Sequence, residues 1–277
     1  MNFTFGGRDA VIDQNLCLLT GITRSGTTFF GKVLGSFSNV EYEFEPNFCL
    51  WIPSLAEAGI LEKSTAKEFF KANVYELFYN KLFGRYCNLR PSDDSCVLNF
   101  KTMSEIENKW NLLKNKDDAR QYAIKNQTRL VMKMPNAQFF YGFFREVFPN
   151  IKFIHIARHP FDVALSVLKK HWLADTTFSN PSATYARKNI VLDGKTYSVP
   201  FWLQESSAKA FLEADEFSRG LIYWRIITET HIKSTVFASI SDLCWEFKYE
   251  DLISCPEKIF TQAQNFLGAS TGAKTQE

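Results

Sequence analysis

The sequence lacks the features of a membrane-bound, secreted or metal-binding protein. It has no run of about 18 apolar residues, the length that a membrane-spanning helix needs. Residues 1–15 contain neither the basic region nor the apolar segment of a secretory signal. The six cysteines show no C-x-x-C pair and no spacing typical of metal ligands, so we expect free thiols and no metal. These absences predict a cytoplasmic protein that does not bind a membrane.

Positive and negative charges are nearly balanced along the chain. Lys and Arg total 32 and Asp and Glu total 30, which gives a net charge of +2. A nucleic-acid-binding protein usually carries a marked positive excess, so we expect no nucleic-acid partner. Apolar residues make up 45% of the 277 residues, enough for a packed globule near the upper size limit of one hydrophobic core. We therefore predict a single domain over residues 1–277.

An uncharged strand, a loop bounded by glycines and a helix follow one another over residues 16–37. The run 16–20 has no charge, which is typical of a strand buried on both faces. Gly21 and Gly26 bracket a tight loop, and an apolar helical pattern follows it. A loop of this kind directs backbone N–H groups and a helix N-terminus at one point in space. This stretch therefore predicts an anion-binding site.

The side chains of this loop add hydrogen-bond donors at Arg24, Ser25, Thr27 and Thr28. A nucleotide-binding P-loop, GxxxxGK[ST], requires a lysine after its second glycine, where this chain has Thr27. The pattern G-x-x-R-S-G-T-T resembles instead the 5′-phosphosulfate loop of the sulfotransferases that use 3′-phosphoadenosine 5′-phosphosulfate (PAPS). It is more similar to the Golgi, tyrosylprotein and bacterial branch, which carries arginine in the loop, than to the cytosolic branch, which carries lysine.

The resemblance implies PAPS as the donor and 3′-phosphoadenosine 5′-phosphate (PAP) as the product, with no metal. It also implies a donor-binding loop that consists of Arg24, Ser25, Gly26, Thr27 and Thr28.

Predicted strands and helices alternate along the chain. This order predicts an α/β, P-loop-like, three-layer fold with a central, mainly parallel five-stranded sheet flanked by helices. In such a sheet, ligands bind beyond the carboxyl ends of the strands. The predicted strands cover residues 16–20, 39–45, 129–134, 152–157 and 243–249. We predict helices over residues 57–86, 101–127, 137–148, 160–172, 206–234 and 256–267. The stretch 101–127 is polar and charged, and its apolar periodicity is weak.

Residues 175–202 contain the turn signals Asn180-Pro181 and Asp193-Gly194, and we expect a long, irregular, functional loop there. The segments 84–127 and 173–240 do not share the resemblance. They are the regions where such enzymes build acceptor pockets, so we expect acceptor-site insertions in both.

A second motif follows the strand at residues 152–157. Arg158 leaves that strand and Ser166 lies about two turns into the next helix, so together they can hold a phosphate from two sides. The pattern R-x-P-x-x-V-A-x-S resembles the 3′-phosphate motif of the same family, which implies that Arg158 and Ser166 bind the 3′-phosphate. The alternatives are a surface ion pair between Arg158 and Asp162 and a solvated helix position for Ser166.

Lys133 and Glu45 are candidate catalytic residues beside Arg24. The order K-x-P, helix, F-P, strand, R-x-P is common to the family, and the resemblance implies that Lys133 contacts the sulfuryl group in the transition state. An E-P pair similar to Glu45-Pro46 follows the second strand of related enzymes. A carboxylate at a strand end can take the proton of an attacking hydroxyl, so we expect Glu45 to be the general base. The alternative bases are Glu43, His155 and His159.

The resemblance extends from Leu16 to Gly268 and includes a Y-E-D-L segment at residues 249–252, which we assign to architecture. The basic 3′-phosphate segment near the end of cytosolic members is absent. The resemblance implies an enzyme that transfers a sulfuryl group from PAPS to a hydroxyl or amine of a small soluble acceptor, similar to short bacterial enzymes that tailor natural products. Candidate acceptor contacts are the aromatic residues Trp172, Phe178, Tyr185, Tyr197, Phe201 and Trp202. The alternatives are a P-loop kinase of a small molecule and a nucleotide-binding module without catalysis.

Overall fold

A five-stranded parallel sheet forms the centre of the computed structural model, which describes residues 7–179 and 187–275. The sheet has the order β2-β3-β1-β4-β7, and every pairing in it is parallel. The remaining two strands, β5 and β6, form an antiparallel hairpin. In chain order the strands are β1 (Leu16–Gly21), β2 (Val40–Phe44), β3 (Arg129–Lys133), β4 (Lys152–Ala157), β5 (Arg187–Leu192), β6 (Lys195–Pro200) and β7 (Cys244–Lys248).

Helices cover both faces of the sheet. They are α1 (Ala10–Asp13), α2 (Thr27–Ser36), α3 (Phe48–Glu57), α4 (Lys63–Leu82), α5 (Met103–Leu112), α6 (Lys116–Asn126), α7 (Tyr141–Val147), α8 (Pro160–Leu168), α9 (Asp175–Ser179), α10 (Glu205–Glu213), α11 (Glu216–Phe237), α12 (Tyr249–Ser254) and α13 (Pro256–Leu267). Short 3₁₀ helices cover Val97–Asn99, Ala137–Phe140 and Ser241–Leu243. The α/β fold with a central parallel sheet, predicted from the sequence, is confirmed. Among the described residues, no helix is both long and apolar enough to cross a bilayer.

The uncharged β1 strand explains why the fold has three layers. Leu16 and Leu18 pack into a core with α4 and α7, whereas Cys17 and Leu19 pack into a second core with α2 and α13. Successive side chains of a strand point to opposite faces, so a run without any charged residue can be covered on both sides. A third core forms among α8, α10, α11, the β5–β6 hairpin and Ile22 of the loop after β1.

The prediction of an irregular loop over residues 175–202 is wrong for most of that segment. Residues 175–179 are helical, and β5 and β6 pair as a hairpin around Asp193-Gly194. Both turn residues have positive φ, +48° and +75°, as a two-residue type I′ turn requires. The part of the prediction that concerns Asn180-Pro181 and Tyr185 lies outside the described residues.

Two long predicted helices are each divided in the structure. The helix predicted over 101–127 ends as α5, and α6 starts anew because the Asn115 side chain accepts hydrogen bonds from the N–H groups of Asp117 and Asp118. The helix predicted over 206–234 ends as α10, and α11 starts anew because the Asp215 side chain accepts a hydrogen bond from Ser218 N at 3.0 Å. Local capping explains both breaks, and it does not alter the apolar period of the sequence.

Candidate active site

The carboxyl ends of the central strands bring the predicted site residues to one edge of the sheet. Lys133, the last residue of β3, is in register with Leu19 of β1 and Phe44 of β2. Gly21, the last residue of β1, is in register with Ile156 of β4. The loop after β1, the residue after β2, the end of β3 and the residue after β4 therefore line one crevice, as the parallel order predicts.

The loop between β1 and α2 exposes backbone donors at the start of a helix. Gly26 is the N-cap residue of α2, has a φ of +89° and provides no side-chain cap. The first intrahelical bond runs from Phe30 N to Gly26 O at 3.0 Å, so the N–H groups of Thr27 and Thr28 precede it and have no partner within the helix. Ser25 is fully buried, and its Oγ has no hydrogen-bond partner among the described residues. These groups can receive an anion.

Arg24 connects this loop to α8. Its Nε donates a hydrogen bond to Ser166 Oγ at 2.9 Å, and its guanidinium lies over the Trp172 ring at 5.5 Å from the centroid. Arg24 has a φ of +74°, an uncommon value for a residue with a side chain. The structure thus places Arg24 and Ser166, which are 142 residues apart in the chain, in direct contact.

Arg158 binds the same loop from the end of β4. Its Nη1 donates to Arg24 O at 2.7 Å, and its own carbonyl accepts from Trp224 Nε1 at 2.8 Å. Its Nε is buried and has no partner among the described residues, where we also find no ion pair with Asp162. The guanidinium is therefore held in place and still has donors for an anion.

Tyr249, which we assigned to architecture, lies beside both anion-binding motifs. Its ring centroid is 4.4 Å from Cζ of Arg158. On the loop side, a Cβ atom added to Gly26 would lie 2.4 Å from Cδ2 of Tyr249, so only glycine allows this packing. The neighbouring Glu250 accepts a hydrogen bond from His159 N at 2.9 Å. The start of α12 thus supports the site as well as the fold.

Lys133 is buried under the loop, with 1% of its residue surface exposed. Its ammonium group forms an ion pair with Glu45 Oε1, donates to Thr28 Oγ1 at 3.0 Å and lies 4.2 Å from the centroid of Phe44. Burial lowers the pKa of Lys133 from its ordinary value, and the ion pair with Glu45 opposes that shift. The structure therefore contains a positive charge next to the helix start and a carboxylate next to that charge.

The three alternating glutamates of β2 and its end differ in their partners. Glu41 pairs with Lys109 at 2.5 Å and Glu43 pairs with Lys81, and their side chains are 11% and 22% exposed. Glu45 is 37% exposed and lies at the crevice. Glu43 is therefore held by α4, whereas Glu45 can be reached by an incoming acceptor.

The two histidine alternatives lie in different surroundings. His155 is inside β4, buried, and its ring stacks on His231 with centroids 3.5 Å apart. His159 is exposed and its ring stacks on Phe161 at 5.5 Å. Neither environment matches that of Glu45, which has the candidate sulfuryl-binding lysine as its partner.

Sequence reasoning missed a polar contact that fixes the loop from the side of α11. Tyr223 Oη donates to Asn136 Oδ1 at 2.8 Å and accepts from Thr23 N at 3.3 Å. Asn136 Nδ2 also donates to Thr23 Oγ1 at 3.4 Å. The sequence offers one signal for this contact, the Pro135-Asn136 pair after β3. Asparagine tolerates a positive φ, and Asn136 has a φ of +62°.

Several aromatic residues proposed as acceptor contacts belong to the third core. Phe178 and Trp202 are buried, and Trp202 packs on Tyr223 with ring centroids 4.6 Å apart. Phe201 stacks on Phe140 at 5.8 Å. Because Phe178 and Trp202 are buried, the structure does not present their rings to an acceptor, whereas Phe201 is half-buried and stays a candidate contact. Trp172 remains 38% exposed beside the loop.

Comparison with known proteins shows which family and which folds this chain is similar to. A sequence model of the sulfotransferase family matches residues 18–195. A search of curated proteins found no match. Among solved structures, the chain is similar to the sulfotransferase domain from the curacin biosynthetic pathway, with 13% identity, coverage of 94% of this chain and 76% of that chain, and a TM-score of 0.52. The sulfotransferase domain of the Synechococcus PCC 7002 olefin synthase shows 14% identity, coverage of 92% and 73%, and a TM-score of 0.48.

Proposed function

The chain belongs to the sulfotransferase family, and on this basis we propose that it transfers a sulfuryl group from PAPS to a hydroxyl or an amine of a small soluble acceptor. The observation that carries the proposal is the contact of the two anion-binding motifs. Arg158 donates to the carbonyl of Arg24, and Arg24 donates to Ser166. A donor with phosphates on the 3′ and 5′ positions of its ribose fits a site in which two such motifs are joined.

The loop at the start of α2 would bind the 5′-phosphosulfate. The N–H groups that precede the first helical hydrogen bond, the helix dipole and the hydroxyls of Ser25, Thr27 and Thr28 all favour negative charge there. Arg24 adds a charged fork, which can form two parallel hydrogen bonds to phosphate oxygens.

The 3′-phosphate would be bound by Arg158 and Ser166. The buried Nε of Arg158 has no partner among the described residues, so it can donate a hydrogen bond to an oxygen of the 3′-phosphate. The Ser166 hydroxyl accepts from Arg24, so its own hydrogen remains free to donate. Recognition of the 3′-phosphate would distinguish PAPS from other adenine nucleotides.

Transfer would follow an in-line displacement at sulfur. The acceptor oxygen or nitrogen forms a bond to sulfur, the bond from sulfur to the 5′-phosphate oxygen breaks, and PAP leaves with that electron pair. Glu45 takes the proton that the acceptor loses. Lys133, Arg24 and the loop N–H groups stabilise the charge on the sulfuryl oxygens and on the leaving phosphate. Positioning and electrostatics account for most of such a reaction, as they do in phosphoryl transfer.

The nucleotide that the protein binds distinguishes this proposal from the kinase alternative. In a thermal-shift experiment we expect PAP to raise the unfolding temperature without Mg²⁺, and ATP with Mg²⁺ to raise it less. Thr27 in place of the P-loop lysine is the structural reason. Stabilisation by ATP with Mg²⁺ and none by PAP would contradict the proposal and favour the kinase.

Turnover separates an enzyme from a binding module. Incubation with PAPS labelled in its sulfuryl group and a panel of small phenols, alcohols and amines should give labelled product from at least one acceptor class. We expect the rate to be independent of added Mg²⁺, because this mechanism needs no metal at the donor phosphates. Tight PAP binding with no transfer to any acceptor class would favour the binding module. We propose a cytoplasmic location, in keeping with a small soluble acceptor.

A further inference from the structure

Two histidines and a glutamate from three elements meet on the sheet face that is covered by α7 and α11. His155 of β4 is in register with Glu246 of β7, and His231 projects onto both from α11. The Glu246 carboxylate lies 2.9 Å from His231 Nε2 and 3.8 Å from His155 Nδ1. One ligand atom from each residue lies within 4.8 Å of the others. The cluster contains two of the four histidines in the chain and takes no part in the proposed transfer.

His155 Nδ1 is the atom that calls for an explanation. The side chain is only 5% exposed, and Nδ1 has no hydrogen-bond partner among the described residues. A buried ring nitrogen without a partner is rare, and an ion is one of the few ways to satisfy it. This nitrogen faces the Glu246 carboxylate, with the His231 ring stacked beside it.

We propose that His155, His231 and Glu246 bind one zinc ion, with a water in the fourth position. Two imidazole nitrogens and a carboxylate form a ligand set that zinc takes in proteins. Two nitrogens bound at about 2.0–2.1 Å to a tetrahedral zinc lie roughly 3.3 Å apart. The three ligand atoms lie within 4.8 Å of one another, so they would have to close around the ion. The two rings, which are stacked at 9°, would also have to rotate so that both lone pairs point at the ion.

The surroundings of the cluster match those of a metal site. Tyr141 Oη lies 3.2 Å from His231 Nδ1, and a hydrogen bond from Nδ1–H to this oxygen leaves the Nε2 lone pair for the metal. The Glu246 side chain is 51% exposed, which gives the ion and its water a route from solvent. The bound ion would fix α11 to β4 and β7, and α11 carries Tyr223 and Trp224, which hold the donor loop and Arg158.

The test measures metal binding on untagged protein without PAP or acceptor, so that its result does not depend on the proposed function. We expect close to one zinc per chain by elemental analysis after dialysis against metal-free buffer. After removal of zinc with a chelator, Co²⁺ should give the intense visible absorption of a tetrahedral site, and zinc should abolish it. Zinc should also raise the unfolding temperature of the stripped protein.

Substitutions test which side chains bind the zinc ion. His231→Gln and Glu246→Gln should each lower zinc affinity by at least tenfold, and Tyr141→Phe should lower it by roughly 10- to 100-fold through the lost orientation of His231. His171→Gln is the matched control, because His171 also contacts a glutamate, Glu216, at 3.2 Å, but stands at the surface, 75% exposed. It should bind zinc like the wild type.

Glu246→Gln keeps the proposal testable if a buried histidine variant fails to fold, since the Glu246 side chain is half exposed. Substoichiometric zinc in the wild type, or equal zinc affinity in folded Glu246→Gln, would overturn the proposal. The cluster would then be a stacked pair of histidines in which His231 is hydrogen-bonded to Glu246.

Discussion

The ring of Tyr249 lies under the guanidinium of Arg158, with 4.4 Å between Cζ and the ring centroid. The same ring packs on Gly26 at the start of α2. One aromatic side chain at the start of α12 therefore touches both motifs that we propose for the donor phosphates. The positions of the two phosphate sites relative to each other depend on this packing as well as on the contact between Arg158 and Arg24.

Arg158→Ala should weaken PAP binding by about 1.5–3 kcal/mol, the contribution of hydrogen bonds to a charged group. The matched ligand is adenosine 5′-monophosphate, which lacks the 3′-phosphate and should lose much less affinity than PAP in the variant. Calorimetric titration of both ligands checks this. Equal PAP affinity in the two proteins would show that Arg158 does not bind the donor.

Tyr249→Leu should weaken PAP binding by roughly five- to thirtyfold, because a cation over an aromatic ring contributes about 1–2 kcal/mol when partly desolvated. Tyr249→Phe keeps the ring and should bind PAP like the wild type. In the Arg158→Ala background, Tyr249→Leu should have a much smaller effect if the tyrosine acts through Arg158. Additive losses in the double variant would show that Tyr249 acts only through the loop.

Local patterns in the sequence predict the central sheet well. Residues 16–20 were predicted as a buried strand and β1 is Leu16–Gly21, because an uncharged run between a polar segment and a glycine has few alternatives. The hairpin was missed because β5 is mostly exposed or half-buried, with no clean apolar alternation. The bond between Tyr223 and Asn136 joins residues 87 positions apart, and no local pattern encodes such a contact. The spacing of the motifs in the sequence predicted the residues that we propose to bind the sulfuryl donor. The residues that hold them in place could be identified only from the fold.

PAP affinity should fall at alkaline pH as Lys133 loses its proton. Burial places the pKa of Lys133 in the free protein below its ordinary 10.5, and a bound phosphate anion raises it. Because the bound-state pKa is the higher one, the full affinity is present below the free-state pKa and declines as pH rises through it. Titrations in buffers of different ionisation enthalpy should show proton uptake on binding in that range. Lys133→Met should bind PAP more weakly and with no pH dependence in that range; an unchanged alkaline decline in this variant would assign the effect to another group.

Glu45→Gln should retain the fold and PAP affinity but lose roughly 10²–10⁴-fold in kcat, the contribution of general-base catalysis. Glutamine is nearly isosteric and can still accept a hydrogen bond from Lys133, but it cannot take a proton at neutral pH. The proton moves only as the acceptor attacks, so the loss should appear in kcat rather than in the KM for PAPS. An amine that is already deprotonated at the assay pH should be affected less than an alcohol. Glu43→Gln is the matched control, because Glu43 lies one strand repeat away and is paired with Lys81 on the helix side. If Glu45→Gln keeps near-wild-type kcat on its best acceptor while Glu43→Gln or His159→Ala loses it, then the base is not Glu45.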